Sequence, residues 1–139
     1  MDVKKLLLFI LALLLVSCAP PAPHKTEITL TINDDFKFNP SSITAPAGQV
    51  VVLTIKNNSS LEHDFAIQKI SVKDVVMPDD GMQMDHDMAG MSYDLHLATM
   101  AGQTSAITFT PLDAGSYEFI CTIKGHKEAG MSGTLIVTK

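Results

Sequence analysis

From position 27 to the C-terminus the apolar residues recur with a period of two and never with a sustained period of 3.6, which confines this chain to strands. Ile28, Leu30 and Ile32 alternate with Thr29 and Thr31, the pattern of a strand buried on one face, and Phe36 and Phe38 repeat it. Turn signals follow at short intervals: Asn39-Pro40, Ala45-Pro46-Ala47-Gly48, Asn57-Asn58-Ser59-Ser60, 111–115 and 130–133. Between them lie 49–56, 63–67, 70–76, 95–100, 104–110, 116–121 and 134–139, all rich in Val, Ile, Thr, Phe or Tyr. About eight short strands with even turn spacing predict an all-β domain, an antiparallel β-sandwich or small barrel. The 139 residues hold one such domain and exclude a large multidomain enzyme.

The N-terminus has the pattern of an export signal. Lys4 and Lys5 precede an unbroken apolar run over 6–16, too short to span a bilayer as a helix. Small residues and Cys18 follow, and the string LVSC resembles the lipobox of bacterial lipoproteins. That resemblance implies a signal peptide over 1–17, cleavage before Cys18, and lipid on its sulfur as a membrane anchor. Ordinary cleavage near Ala19 or Ala22, releasing a soluble protein, is the alternative. The stretch 18–26 carries Pro20, Pro21 and Pro23 and reads as a stiff, extended tether ahead of a domain over 27–139. The expected location is therefore outside the cytoplasm, at the outer face of the cell membrane or in the periplasm.

Removal of 1–17 takes Lys4, Lys5 and Asp2 from 10 basic and 15 acidic residues, leaving 8 and 14 and a net charge of −6. With no Arg at all, this balance argues against nucleic acid and favours a neutral or basic protein partner. After lipidation of Cys18 a single thiol remains, Cys121. In an oxidising compartment a lone thiol needs something to hold it. A Cys18–Cys121 disulfide is the alternative, and Cys18 sits on the Pro-rich tether.

The segment YEFICTIKGHKEAGMSGTLIV places Cys121, His126 and Met131 at intervals of five on one loop between two strands. A thiolate, an imidazole and a thioether make a soft, compact donor set. Zinc has little use for the thioether, whereas copper takes a His₂Cys plane with a long axial Met, so the Met points to copper. The second imidazole must come from elsewhere. His63 follows the turn NNSSLE and opens the strand HDFAI; His86 and His96 are the alternatives. Singly, each residue has a bland reading: a solvated His, a core Cys, a packing Met. It is the four types together on an exported sandwich that point to a metal. Tyr117 and Phe119, on the strand face of Cys121, are expected in the core and its surroundings rather than as redox relays.

Here the chain resembles the cupredoxins, the family of plastocyanin, azurin, auracyanin and rusticyanin. The Cys-x₄-His-x₄-Met loop is similar to that of the longer-loop auracyanin and rusticyanin members, and the resemblance runs over about 27–139, including the closing GTLIV strand. It implies a Greek-key sandwich with one type 1 copper ion, His63, Cys121 and His126 in the copper plane, and Met131 axial. It also implies that the His126 ring edge lies near the surface, where electrons enter and leave. The expected function is one-electron transfer between redox proteins outside the cytoplasm, by a monomer that is not an enzyme. One position departs from the family: Asn commonly follows the first ligand His, and here it is Asp64. If Asp64 ties the ligand loops together in that place, its charge lowers the reduction potential.

Six of the eight Met residues fall between Met77 and Met100, five of them in an insertion over about 77–94 that also holds His86. Clustered thioethers and imidazoles suit Cu(I). Met82, Met84, His86, Met88 and Met91 are thus candidates for a second, labile copper site serving storage or delivery. The alternative is a solvated loop whose methionines cover one edge of the sandwich.

Overall fold

A computed structural model describes residues 24–77 and 92–139. The signal segment, Cys18, most of the tether and the candidates Met82, Met84, His86, Met88 and Met91 lie outside the described residues.

Among the described residues ten strands follow one another: β1 (Lys25–Ile32), β2 (Phe38–Asn39), β3 (Ser42–Pro46), β4 (Val50–Asn57), β5 (His63–Ile67), β6 (Val72–Val76), β7 (Leu95–Thr99), β8 (Thr104–Pro111), β9 (Gly115–Ile120) and β10 (Ser132–Thr138). They form two five-stranded sheets, in the orders β2-β1-β4-β8-β6 and β3-β10-β9-β5-β7. The all-β sandwich is as expected.

The period-two pattern explains how the sheets meet. Leu30 and Ile32 of β1, Val51, Leu53 and Ile55 of β4, and Ile107 and Phe109 of β8 turn inward from one sheet. Ile43, Phe65, Ile67, Leu95, Leu97, Phe119 and Leu135 come from the other, and all belong to one buried cluster. Each such side chain contributes roughly 1.5–3 kcal/mol on burial. A one-residue slip of β1 would exchange Leu30 and Ile32 for threonines, so the pattern sets the register. Phe38 joins the layers, edge-on to Phe65 and Phe119 at ring-centroid distances of 6.3 and 5.2 Å.

Two features differ from the expectation. The sheets are mixed rather than purely antiparallel: β1 runs parallel to β4, with Lys25 opposite Val50 and Ile32 opposite Asn57, and β3 runs parallel to β10. The cause is β3, a strand not foreseen. It lies in the opposite sheet, so the path from β1 to β4 is a crossover between layers instead of a hairpin, and the chain returns in the same direction. Its sequence SITAP buries only Ile43 and Ala45 and ends in a proline, so it reads as a turn. An edge strand tolerates that proline, because no further neighbour needs its missing N–H. In addition, β1 begins at Lys25, inside the stretch read as tether.

Candidate metal centre

Two stretches of chain converge at one end of the sandwich. The first is the turn entering β5, organised by Asn57, whose Nδ2 donates to the carbonyls of Leu61, Thr99 and Met100 at 2.7, 3.0 and 3.1 Å. Its Oδ1 accepts from Ser59 N and Oγ at 3.0 and 2.7 Å. Asp34 then receives Ser60 N at 3.0 Å, tying this turn to the β1–β2 loop. His63 therefore enters β5 from a turn whose backbone is already fixed.

The second stretch runs from Cys121, at the end of β9, to Met131, just before β10. Backbone hydrogen bonds close it on itself: Cys121 N donates to Met131 O at 3.2 Å, Met131 N to His126 O at 3.0 Å, and His126 N to Ile123 O at 3.0 Å. Gly130, at φ +96°, makes the left-handed turn that delivers Met131 back to Cys121. The spacing of five thus has a structural meaning, since it places the three residues at the three anchored points of one loop.

The ligand atoms of His63, Cys121 and His126 all lie within 4.8 Å of one another. The Cys121 sulfur stands 3.3 Å from His126 Nδ1, and the two imidazole centroids are 4.9 Å apart. His63 and Cys121 are sealed, at 1% and 0% exposure, Met131 is at 0%, and His126 keeps 9%, the most accessible of the four. His63 Nδ1 is buried with no hydrogen-bond partner among the described residues. A buried imidazole nitrogen of this kind is costly unless it has a partner, and a metal ion provides one. Soft sulfur donors beside two imidazoles fit copper. Cys121 is a free thiol, and burial, followed by the charge of Asp64, pushes its pKa up to about 12. Burial, with His126 beside it, lowers that of His63, keeping the ring neutral and able to act as a donor.

Asp64 occupies the place expected of it. Its carboxylate is buried, Oδ1 accepts from Thr122 N at 2.5 Å, and Oδ2 accepts from Thr122 Oγ1 and, at 2.9 Å, from His96 Nε2. It thus ties the residue after His63 to the residue after Cys121. Burial raises its pKa, but the hydrogen bonds from His96 and Thr122 outweigh that and hold it below the usual carboxylate value.

The structure brings His63, Cys121 and His126 together, with Met131 beside them on the same loop. His96 is not among them: it lies on β7 with its ring turned to Asp64. His86 lies outside the described residues. Tyr117 donates its hydroxyl to Asp113 O, and Phe119 packs between Phe38 and Phe65, so both are structural. Sequence reasoning missed Phe36, whose ring stands edge-on to His126 and His63 at centroid distances of 4.9 and 6.0 Å. Read as one more step of a strand alternation, it has instead a left-handed backbone at φ 53°, which no periodicity announces.

Residues 24–138 match the copper-binding protein family of plastocyanin and azurin. The chain is 31% identical over 122 residues to the copper-resistant cuproprotein CopI of Rubrivivax gelatinosus, covering 84% of this chain and 68% of that one. It is 28% identical over 113 residues to auracyanin-A of Chloroflexus aurantiacus, covering 75% and 68%. Among solved structures, the dithionite-reduced auracyanin of the photosynthetic bacterium Roseiflexus castenholzii superposes with a TM-score of 0.64 at 22% identity, over 82% of this chain and 98% of that one.

Proposed function

The chain belongs to the plastocyanin/azurin family of copper-binding proteins, and from that premise we propose that it is a one-electron carrier working outside the cytoplasm through a single type 1 copper centre. The observation that carries this reading is the convergence within 4.8 Å of buried His63, at the start of β5, with buried Cys121 and His126, on the loop that ends at Met131. These four residues would hold the ion, His63, Cys121 and His126 as strong donors and Met131 as the weak one. When bound, copper supplies a one-electron Cu(I)/Cu(II) couple.

The rest is the work of the chain. The closed Cys121–Met131 loop and the Asn57 turn hold the donors in one arrangement, so that little has to move when an electron arrives or leaves. Burial of His63, Cys121 and Met131 keeps water from the donors. His126, with 9% exposure, offers the shortest way from the donors to a partner's surface. The exposed residues next to it in sequence, Lys124, Gly125, Lys127, Glu128 and Ala129, give a partner docking there a rim of mixed charged and small apolar character. The reading extends to an exported monomer, lipid-anchored through Cys18, that exchanges electrons with redox proteins. It describes a carrier and not an enzyme, since oxidase or reductase chemistry on copper needs further sites built from His clusters.

A second reading, copper storage or delivery, is favoured by the similarity to a copper-resistant cuproprotein and by the methionines and His86 over 77–94. Copper titration of the chain, followed by visible absorption and voltammetry, separates the two. One ion per chain, an intense red-region band and reversible one-electron reduction support the carrier. A colourless protein that still takes up copper, and loses that uptake when Met82, Met84, Met88 and Met91 are replaced, makes handling the function and sinks the carrier reading.

A further inference from the structure

His96 is a buried-side partner without a role in the ligand set. It lies on β7, the edge strand of its sheet, opposite Ala66 of β5. Ala66 and Asp64 share a strand face, and because the residue opposite His96 has only a methyl group, the imidazole can lean diagonally across it to Asp64. The contact is close, 2.9 Å from Nε2 to Oδ2, and asymmetric in exposure: the Asp64 side chain is 5% exposed and that of His96 is 26%. Asp64 is thereby gripped from two sides. Thr122 holds both its oxygens from the Cys121 loop, and His96 holds Oδ2 from the sheet edge.

A buried carboxylate one residue from His63 and bonded to the residue after Cys121 acts on the centre in two ways. It sets the separation of the two ligand-bearing segments, and its negative charge favours Cu(II) over Cu(I). Both depend on how firmly the carboxylate is held and how far its charge is offset. Thr122 supplies two neutral donors. His96 supplies a third donor, from the rim of the fold, with Tyr93 at a ring-centroid distance of 6.0 Å.

We propose that His96 is a positioning residue of the copper centre: acting through its hydrogen bond to Asp64, it locks the His63 and Cys121 segments in register and raises the reduction potential by drawing the carboxylate's electron density toward its Nε2–H. This rests on the reading of His63, Cys121, His126 and Met131 as the copper ligands. The role needs no contact between His96 and the metal, which accounts for an imidazole that lies near the centre and outside its donor set.

The test uses the copper-loaded chain carrying His96→Gln, His96→Ala, Asp64→Asn and the His96→Ala/Asp64→Asn double substitution. Potentials are read by voltammetry, and the Thr122 amide is followed by NMR in the copper-free protein. His96→Ala is expected to raise the ratio of Cu(II) to Cu(I) affinity about tenfold, a fall of about 59 mV for a one-electron couple. His96→Gln, which keeps an N–H donor, is expected to restore both the Thr122 amide signal and most of the potential. In the Asp64→Asn background the His96→Ala change should have no effect on the potential. An unchanged potential in His96→Ala, with the visible band intact, overturns the proposal. So does an equal shift in the presence and absence of Asp64. Loss of the visible band in the unsubstituted chain would instead refute the ligand assignment, so the two failures are distinct.

Discussion

Phe36 stands edge-on to His126, with ring centroids 4.9 Å apart and planes at 75°, on a backbone held at φ 53°. A bulky residue in the left-handed region costs roughly 1–3 kcal/mol and persists only where its surroundings compel it. Here the compensation is contact with both imidazoles, since His63 lies 6.0 Å away in the same edge-on manner. The ring closes the side of the centre that faces the β1–β2 loop.

Phe36→Ala is expected to leave the centre assembled and less protected. The side chain is half-buried, so the loss of stability is about 1–2 kcal/mol, below the 3–5 typical of fully buried Phe. Copper should exchange with a chelator several-fold faster while the visible band keeps its position. An unchanged exchange rate in stopped-flow chelation would show that Phe36 does not shield the site.

Gly133 of β10 is required by packing rather than by backbone freedom. A Cβ there would fall on the Phe119 ring and lie 2.5 Å from the Ser41 carbonyl oxygen. Phe119 is fully buried between Phe38 and Phe65 and cannot give way. Gly133→Ala should therefore lower stability by about 1–3 kcal/mol or more through overpacking. Because Cys121 N and Met131 O are paired just beyond, copper affinity should fall with it. Thermal unfolding of both copper-free proteins checks this; equal midpoints would mean that β10 shifts freely.

Asn57 sends both protons of its amide to three carbonyls and accepts from Ser59 with its oxygen. Asn57→Asp keeps the shape and turns the donor into an acceptor facing those carbonyls. It is thus expected to destabilise the fold more than Asn57→Ala, which costs about 2–6 kcal/mol when two lost bonds each leave a buried group unsatisfied at roughly 1–3. Chemical denaturation of the two variants ranks them. The reverse order would show that the turn before His63 does not depend on this amide.

What was legible in the sequence follows from its physics. Leu30, Ile32, Leu53 and Ile107 alternate along single strands, so the sandwich could be read locally. The Cys121–Met131 loop is likewise contiguous, and its spacing of five survives folding because each ligand residue is also a backbone anchor. His63 was reached through the turn before it and by family resemblance. Illegible were the parallel pairing of β1 with β4, which depends on β3 crossing to the other sheet, and the contacts of Phe36 and His96, which no local pattern encodes. Asp64 could be flagged as a departure from the family. That it reaches Thr122 and His96 together, however, emerges only once β5, β7 and the Cys121 loop meet.

Copper uptake must release the Cys121 proton. Burial, then the Asp64 charge, raises the thiol from its ordinary value of 9.0 to about 12, so at neutral pH the metal-free protein holds it as a thiol. Binding as thiolate then expels one proton per ion, and affinity rises with pH wherever both imidazoles are already neutral. Calorimetric titration at pH 7 in two buffers of different ionisation enthalpy should return about one proton released, and close to none in Cys121→Ser. The sign for folding is opposite to that of a salt-bridged carboxylate. A folded-state pKa above the unfolded one gives stability that is fully present below about 9.0 and is lost as pH rises toward about 12. The metal-free protein should therefore become less stable over that window, and Cys121→Ser, which has no such proton, should decline less. Parallel declines for the two proteins, or copper binding without proton release, would mean that the thiolate exists before the metal arrives.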